Sequence, residues 1–280
     1  MSVRDDRTTR RDPLVYLVLV AGLVLTITPF LVMISTSFTD QSLVLELPPK
    51  LLPADPTTRN YTDALSSSGF ALYFANSAVV AVATVAGVLL LSSMMAFAFA
   101  RFTFPGKSVL FGALMAALMI PGMILILPQF LVARDLGLID SRLGLVLFYI
   151  GAQLAFITFL LRGFFQSVPK ELEEAMELDG AGPWRVYWNL MLPLSRPALA
   201  TAAIFTFLGA WDEFAWALTI INDPDKRTLP IAIALFQGQY STSWGLVFAA
   251  SVIAVVPVIV IFVFFQRHFV SGLRSGALKG

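Results

Sequence analysis

Six long stretches of this chain contain almost no charged residue. They lie between Asp12 and Asp40, Asp63 and Arg101, Lys107 and Arg134, Arg142 and Arg162, Arg196 and Asn222, and Trp244 and Arg267. A helix needs about 20 mainly apolar residues to cross a lipid bilayer, so each stretch predicts one transmembrane helix. The stretches are continuously apolar and lack the alternating pattern of membrane β-strands. The predicted fold is therefore an all-α polytopic membrane protein with six transmembrane helices.

Composition supports contact with lipid and excludes several classes of protein. Hydrophobic residues make up 58% of the chain and charged residues 13%, compared with about 45–50% and about 25% in soluble proteins. The net charge of +1 argues against nucleic-acid binding, which normally requires a basic excess. Without cysteine, disulfides, thiolate metal sites and cysteine nucleophiles are excluded. Because one histidine, His268, makes neither a zinc site nor a catalytic triad, we expect no metal and no catalytic residue.

The distribution of basic residues predicts the orientation in the membrane. The first apolar stretch is too long for a cleaved signal peptide and predicts a retained helix. Six spans place both termini on one side, where thirteen of the 19 Lys and Arg residues would lie, against six on the other. The positive-inside rule makes that side cytoplasmic and predicts a multi-pass protein of the plasma (inner) membrane. The predicted segments are cytoplasmic tails at 1–12 and 271–280, a six-helix domain at 13–270, external loops at 39–70 and 222–243, and a cytoplasmic loop at 166–195.

Two of these loops have patterns of their own. The external loop at 39–70 is rich in proline, so we expect little regular structure there. The cytoplasmic loop has the pattern of a helical hairpin, in which Ser167 caps the first helix and Gly180 allows the turn. An apolar stripe that includes Trp184 follows, and we expect this second helix to end at Pro193. Such a hairpin has the shape to enter a groove of a soluble partner. The alternatives are an interfacial helix that rests on lipid and a simple connector.

The spacing of residues in this loop resembles the EAA loop of ABC importer permeases. The family pattern is Glu-Ala-Ala, three residues, Gly, nine residues and Ile-x-Leu-Pro, and this chain has Glu174-Ala175-Met176, Gly180, Leu190 and Leu192-Pro193 at the same spacings. Met176 and Leu190 depart from the pattern but remain apolar. Trp211-Asp212-Glu213-Phe214 and the tail from Gly272 to Gly280 are similar to segments of the six-helix permeases of carbohydrate importers, such as the maltose-system subunit. We refer to residues 166–195 as the EAA loop.

The resemblance implies a type I ABC importer permease, a transport subunit and not an enzyme. Its complex would contain a second homologous permease, two ATPase subunits and an external solute-binding protein, within the lipid bilayer. This chain has no Gly-x-x-x-x-Gly-Lys-Ser/Thr motif, so ATP and Mg would be used by the ATPase subunits and this chain would bind no cofactor. The expected solute is a carbohydrate, with a polyol or a sugar phosphate as alternatives. A proton-coupled secondary transporter is the alternative from another class.

Three groups of residues are expected to carry the function. The resemblance implies ATPase coupling at Glu174, Ala175, Asp179, Gly180, Ala181, Leu192 and Pro193, and further ATPase contacts of the tail at Ser275, Gly276, Lys279 and Gly280. The translocation pathway is predicted at Trp211, Asp212, Glu213, Phe214 and Trp216, because aromatic faces and carboxylates suit a sugar. A continuous helix would place Asp212 and Trp216 on one face. Acids within a membrane also brace helices, so contact with the second permease is the alternative role of Asp212 and Glu213. Asn76 is expected to make an interhelical hydrogen bond.

Overall fold

Helices long enough to cross a membrane dominate the structure. The computed structural model describes residues 13–40, 53, 55–67, 69–237 and 242–277, with the backbone alone for 265–277. Four helices are long and apolar enough to span a bilayer, namely α1 (Pro13–Ser37), α3 (Phe70–Arg101), α6 (Arg142–Ser167) and α13 (Trp244–Ala277). Two bent helix pairs raise the number of candidate spans in the described part of the chain to six. They are Lys107–Ala117 with Gly122–Asp135, and Pro183–Leu194 with Arg196–Trp211. The prediction of an all-α fold with six membrane-crossing segments is confirmed.

The chain divides into two compact units. Of the described residues, those within 1–67 and 236–253 form the first unit, and those within 68–235 and 254–280 form the second. In the first unit, α1 is followed by the short helix α2 (Arg59–Ser66). Because α2 lies within residues 39–70, the expectation of little regular structure there is wrong for its last part. Most apolar side chains of α1 are exposed in this chain, as expected of a helix that lipid or another subunit covers.

Three helices form the core of the second unit, and the EAA loop packs onto them. α3 and α6 make the most extensive helix contact, and α10 (Arg196–Trp211) packs against both. The two long helices approach closely at Gly87, where a Cβ would overlap the side chain of Ile150. A buried cluster, which we call the loop–core cluster, joins these helices to the EAA loop. It consists of Val88, Ala96, Phe97, Ile157, Leu161, Phe165, Val168, Ala181, Val186, Tyr187, Met191, Ala198 and Ala202.

Spans three and five are not straight helices. Span three consists of α4 (Lys107–Ala117), a 3-10 turn (Gly122–Leu125) and α5 (Ile126–Asp135), and it bends by 94°. Pro121 lies at the bend, where its missing N–H cannot continue the helix. In span five, α10 ends at Trp211 and a second helix, α11 (Ala215–Ile220), begins after a break. The continuous helix predicted for span five is therefore wrong.

The EAA loop is a helical hairpin, as predicted. Its first arm is α7 (Lys170–Leu178), and its second arm runs without interruption through α8 (Pro183–Val186), a π-helix (Tyr187–Met191) and α9 (Leu192–Leu194). The second arm then meets α10 at a bend of 77°. Two details of the prediction are wrong. The hydroxyl of Ser167 donates to Phe164 inside α6 at 2.7 Å and does not cap α7, and Pro193 lies within α9, which continues to Leu194.

Candidate functional site

The turn of the EAA loop ends α7 at a residue in the left-handed conformation. Gly180 has a φ of +78°, which costs a residue with a side chain about 1–2 kcal/mol. The N–H of Gly180 donates to the backbone oxygen of Glu177, and that of Ala181 donates to Met176, both at 2.9 Å. These are the two hydrogen bonds of a Schellman motif. A Cβ at Gly180 would meet open space, so the backbone conformation and not crowding within this chain requires glycine.

The outer surface of the EAA loop exposes large apolar side chains. Leu178, Trp184 and Trp188 are 90%, 63% and 52% exposed. Large apolar side chains exposed in this way are expected to be covered by a partner or by lipid. Among the predicted ATPase-coupling residues, exposed positions are Glu174, Ala175, Asp179 and Gly180, half-buried positions are Leu192 and Pro193, and Ala181 is buried.

The inner surface of the EAA loop is fixed to α3 by a buried ion pair. Arg101, the last residue of α3, pairs with Glu173 of α7, and their side chains are only 6% and 13% exposed. Nη2 of Arg101 also donates to the backbone oxygen of Val168 at 2.7 Å. Burial raises the pKa of Glu173, and the positive charge of Arg101 opposes this shift. No sequence pattern indicates this pair, because Arg101 stands out only as the end of an apolar stretch.

Glu213 occupies the break in span five and accepts three hydrogen bonds. Its Oε1 accepts from the N–H of Trp216 at 2.8 Å, and its Oε2 accepts from the N–H of Ala217 at 3.0 Å. Tyr149 of α6 donates its hydroxyl to Oε2 at 2.6 Å. Both N–H groups belong to the first turn of α11, where backbone donors have no partner within the helix. Glu213 therefore stabilises the start of α11 and ties the break to α6.

A cavity of about 350 Å³ opens beside Glu213. Its walls come from the bend in span three, from α6 and from the break in span five, and they include Met123, Gln129, Phe148, Tyr149 and Trp216. The rings of Phe148 and Trp216 lie 4.7 Å apart between centroids. The cavity thus combines aromatic faces with a carboxylate, a hydroxyl and an amide, which is the chemistry of a site for a polar organic solute. It brings together Glu213 and Trp216 of the five predicted pathway residues.

The other three predicted pathway residues lie outside this cavity. Trp211 is buried, and its Nε1 donates to the backbone oxygen of Ala254 at 3.1 Å. Asp212 and Phe214 are exposed in the break. Because α10 stops at Trp211, Asp212 and Trp216 do not share a helix face, and the prediction that they do is wrong. The carboxylate of Asp212 has no hydrogen bond or ion pair within the described part of the chain, which leaves it available to a solute or to another subunit.

At the other end of α3, Asn76 holds the segment that follows span five. Its amide nitrogen donates to the backbone oxygens of Asp225 and Arg227, each at 2.9 Å, and its amide oxygen accepts from Arg142 of α6 at 2.8 Å. The carboxylate of Asp140 accepts from two more backbone N–H groups of the same segment. The interhelical hydrogen bond expected for Asn76 is present. The same side chain also anchors the segment to α3, which the sequence analysis missed.

The predicted tail contacts are only partly described. Ser275 and Gly276 lie in the backbone of α13, without described side chains, whereas Lys279 and Gly280 lie outside the described residues. The predicted N-terminal tail at 1–12 also lies outside them.

Known proteins resemble this chain over most of its length. Residues 12–275 match the sequence model of the family described as "binding-protein-dependent transport system inner membrane component". The chain is 36% identical over 258 residues to the diacetylchitobiose uptake system permease protein NgcG of Streptomyces coelicolor, covering 91% of this chain and 85% of that protein. It is 37% identical over 233 residues to the trehalose transport system permease protein SugB of Mycobacterium tuberculosis, covering 82% and 85%. The fold also matches a chain in the crystal structure of a bacterial ABC transporter involved in the import of the acidic polysaccharide alginate. The match has a TM-score of 0.80 and 26% sequence identity, and it covers 96% of this chain and 100% of that chain.

Proposed function

Because the chain belongs to the family of binding-protein-dependent transport system inner membrane components, we propose that it is one of two permease subunits in an ATP-driven importer. A second homologous permease, two ATPase subunits and an external solute-binding protein complete the complex. The complex lies in the plasma (inner) membrane, with both termini of this chain in the cytoplasm. ATP and Mg are used by the ATPase subunits, and this chain performs no chemistry of its own.

The main structural support for this proposal is the EAA loop. Its outer surface offers the exposed side chains of Leu178, Trp184 and Trp188, and the exposed Glu174 can make a charge-assisted hydrogen bond to a partner. Its inner surface is buried in the loop–core cluster. Closure of the ATPases around this loop would displace it together with the helices to which it is attached. The helices would then switch between outward-open and inward-open arrangements as rigid bodies.

The proposed solute is a carbohydrate. The relatives described above are permeases for diacetylchitobiose and trehalose. In this chain, Phe148 and Trp216 offer aromatic faces to a sugar ring beside Glu213. The three hydrogen bonds of Glu213 leave about one of the four acceptor positions of its carboxylate for a solute hydroxyl. In this cavity a sugar phosphate would bring a like charge towards Glu213, which disfavours it relative to a neutral saccharide.

Transport by the assembled complex tests this function. The complex is purified from its native membranes, placed in proteoliposomes and supplied with its binding protein and a radiolabelled saccharide that this protein retains. We expect uptake that requires both ATP and the binding protein and that continues when the proton gradient is collapsed. This chain, freed of its partners, should not hydrolyse ATP. Uptake that stops with the proton gradient while ATP remains would indicate a proton-coupled transporter instead.

A further inference from the structure

Both arms of the EAA loop are attached to α3 by buried polar contacts. Arg101 of α3 pairs with Glu173 in the first arm. Ser93 of α3 shares a buried hydrogen bond of 2.7 Å with the hydroxyl of Tyr187 in the second arm. Ser93 and Arg101 are eight residues apart in α3, about 12 Å along the helix axis. Two attachments at this separation fix the angle of the hairpin to α3 as well as its position.

Glu173 is the acid of α7 that turns towards the protein. Glu171, Glu174 and Glu177 are exposed on the same helix. A buried ion pair adds little net stability, because the loss of hydration offsets the attraction between the charges. The pair between Glu173 and Arg101 is therefore better explained by the single arrangement that it permits.

The guanidinium of Arg101 suits this role because it has several donors in a fixed plane. It contacts the carboxylate of Glu173 and the backbone oxygen of Val168 at the same time. Val168 directly follows the last residue of α6 and precedes α7, the first arm of the hairpin. A lysine ammonium lacks the planar fork that reaches both acceptors. Arg101 thus joins the end of α3, the end of α6 and the first arm of the hairpin at one point.

We infer that Arg101 and Glu173 are positioning residues for the coupling of ATP hydrolysis to transport. They hold α7 at a fixed angle to α3, so that displacement of the EAA loop tilts α3 and does not bend the loop. This inference rests on the proposed function, and it assigns a role to a residue outside the EAA loop. Removing the pair would leave the exposed docking surface intact but loosen its connection to the helices.

A single cysteine in the cavity wall reports on this connection without knowledge of the solute. Met123 is 72% exposed and lines the cavity, and the chain has no native cysteine, so Met123→Cys gives one reactive thiol. Its labelling rate by a thiol reagent is measured in the whole complex, with and without nucleotide trapped by ATP and vanadate. With Arg101 and Glu173 intact, we expect the rate to change at least about fivefold on trapping.

Glu173→Gln in this background removes the charge and keeps the shape. We expect the change on trapping to fall below about twofold, while the amount of trapped nucleotide per complex stays the same. Equal nucleotide trapping separates a loss of coupling from a loss of folding or of ATPase docking. Glu171→Gln is the matched control, because it neutralises an exposed acid on the same helix. Its labelling rate should change on trapping as much as that of the parent, the complex that carries Met123→Cys alone.

The results separate failure of this inference from failure of the proposed function. A parent whose thiol reactivity ignores trapped nucleotide would contradict the proposed function. A parent and a Glu173→Gln variant that respond equally would overturn the inference alone. If Glu173→Gln does not assemble, Arg101→Lys decides the matter, because it keeps the charge but reaches only one of the two acceptors. It should trap nucleotide normally with a response reduced at least about twofold, and a full response would overturn the inference.

Discussion

Tyr149 donates its hydroxyl to the carboxylate of Glu213 at 2.6 Å and thereby connects α6 to the break in span five. The break contains neither proline nor glycine. Its stability depends instead on one carboxylate that satisfies the first backbone donors of α11 and on one hydroxyl that orients this carboxylate.

Tyr149→Phe should lower the free energy of unfolding of the purified complex by about 1.5–3 kcal/mol, because the lost hydrogen bond has a charged acceptor. The measurement is thermal unfolding in detergent. Tyr61→Phe is the comparison, since the hydroxyl of Tyr61 pairs with the neutral hydroxyl of Ser37 at 2.7 Å and its loss should cost only about 1 kcal/mol. A smaller effect at Tyr149 than at Tyr61 would contradict this account of the break.

Asp212 and Glu213 should respond differently to conversion into amides. Asp212 is exposed and without a partner in the described part of the chain, so Asp212→Asn should retain uptake within about tenfold, or ~1.4 kcal/mol in barrier. Asp212→Leu should lose far more, because it removes the polar group. Glu213→Gln should reduce the yield of assembled complex, since its NH2 group would replace one of the two acceptor oxygens and face the N–H of either Trp216 or Ala217. Uptake per assembled complex is the measurement, and an inactive Asp212→Asn in a fully assembled complex would favour a proton-coupled mechanism.

Two neighbouring glycines allow the effect of backbone conformation to be distinguished from the effect of an added side chain. Gly180 has a φ of +78° and Gly182 a φ of −77°, and a Cβ would meet open space at either. Gly180→Ala should therefore cost about 1–2 kcal/mol at the turn and reduce ATP-dependent uptake, while Gly182→Ala should behave nearly as the unaltered chain. Uptake is measured per assembled complex. Equal transport by the two variants would show that the left-handed turn is not required for coupling.

The proposed orientation can be read from single cysteines, because none is native. The exposed positions Ser66 and Asp225 should react, as Ser66→Cys and Asp225→Cys, with an impermeant thiol reagent added outside intact cells. The exposed positions Ser167 and Asp179, as Ser167→Cys and Asp179→Cys, should react only after the membrane is opened. The reverse pattern would place the EAA loop outside and remove it from contact with the ATPases.

Local features of the fold could be predicted from the sequence, since local signals determine them. The charge-free stretches predicted the membrane-crossing segments, and Gly180 predicted the turn between the arms of the EAA loop. The bend in span three has a similar local cause in Pro121, although the sequence analysis treated that span as continuous.

Contacts between distant parts of the chain could not be predicted in this way. Arg101 and Glu173 are separated by 72 residues and Tyr149 and Glu213 by 64, and no periodicity reveals such pairs. The break in span five was missed for the same reason. Glu213 stabilises it through atoms of Tyr149 and α11, so its cause is visible only once the helices are packed together.

One helix connects two structures that would lie on opposite faces of the membrane. Asn76, near the start of α3, anchors the segment after span five, and Arg101, at its end, anchors the EAA loop. These residues are 25 positions apart, about 37 Å along the axis, and no proline interrupts the helix between them. If α3 tilts as a rigid helix, the segment after span five and the EAA loop move together. In the proposed importer, docking of a loaded binding protein on the outer face would therefore be transmitted to the ATPases on the inner face by the mechanical displacement of this helix.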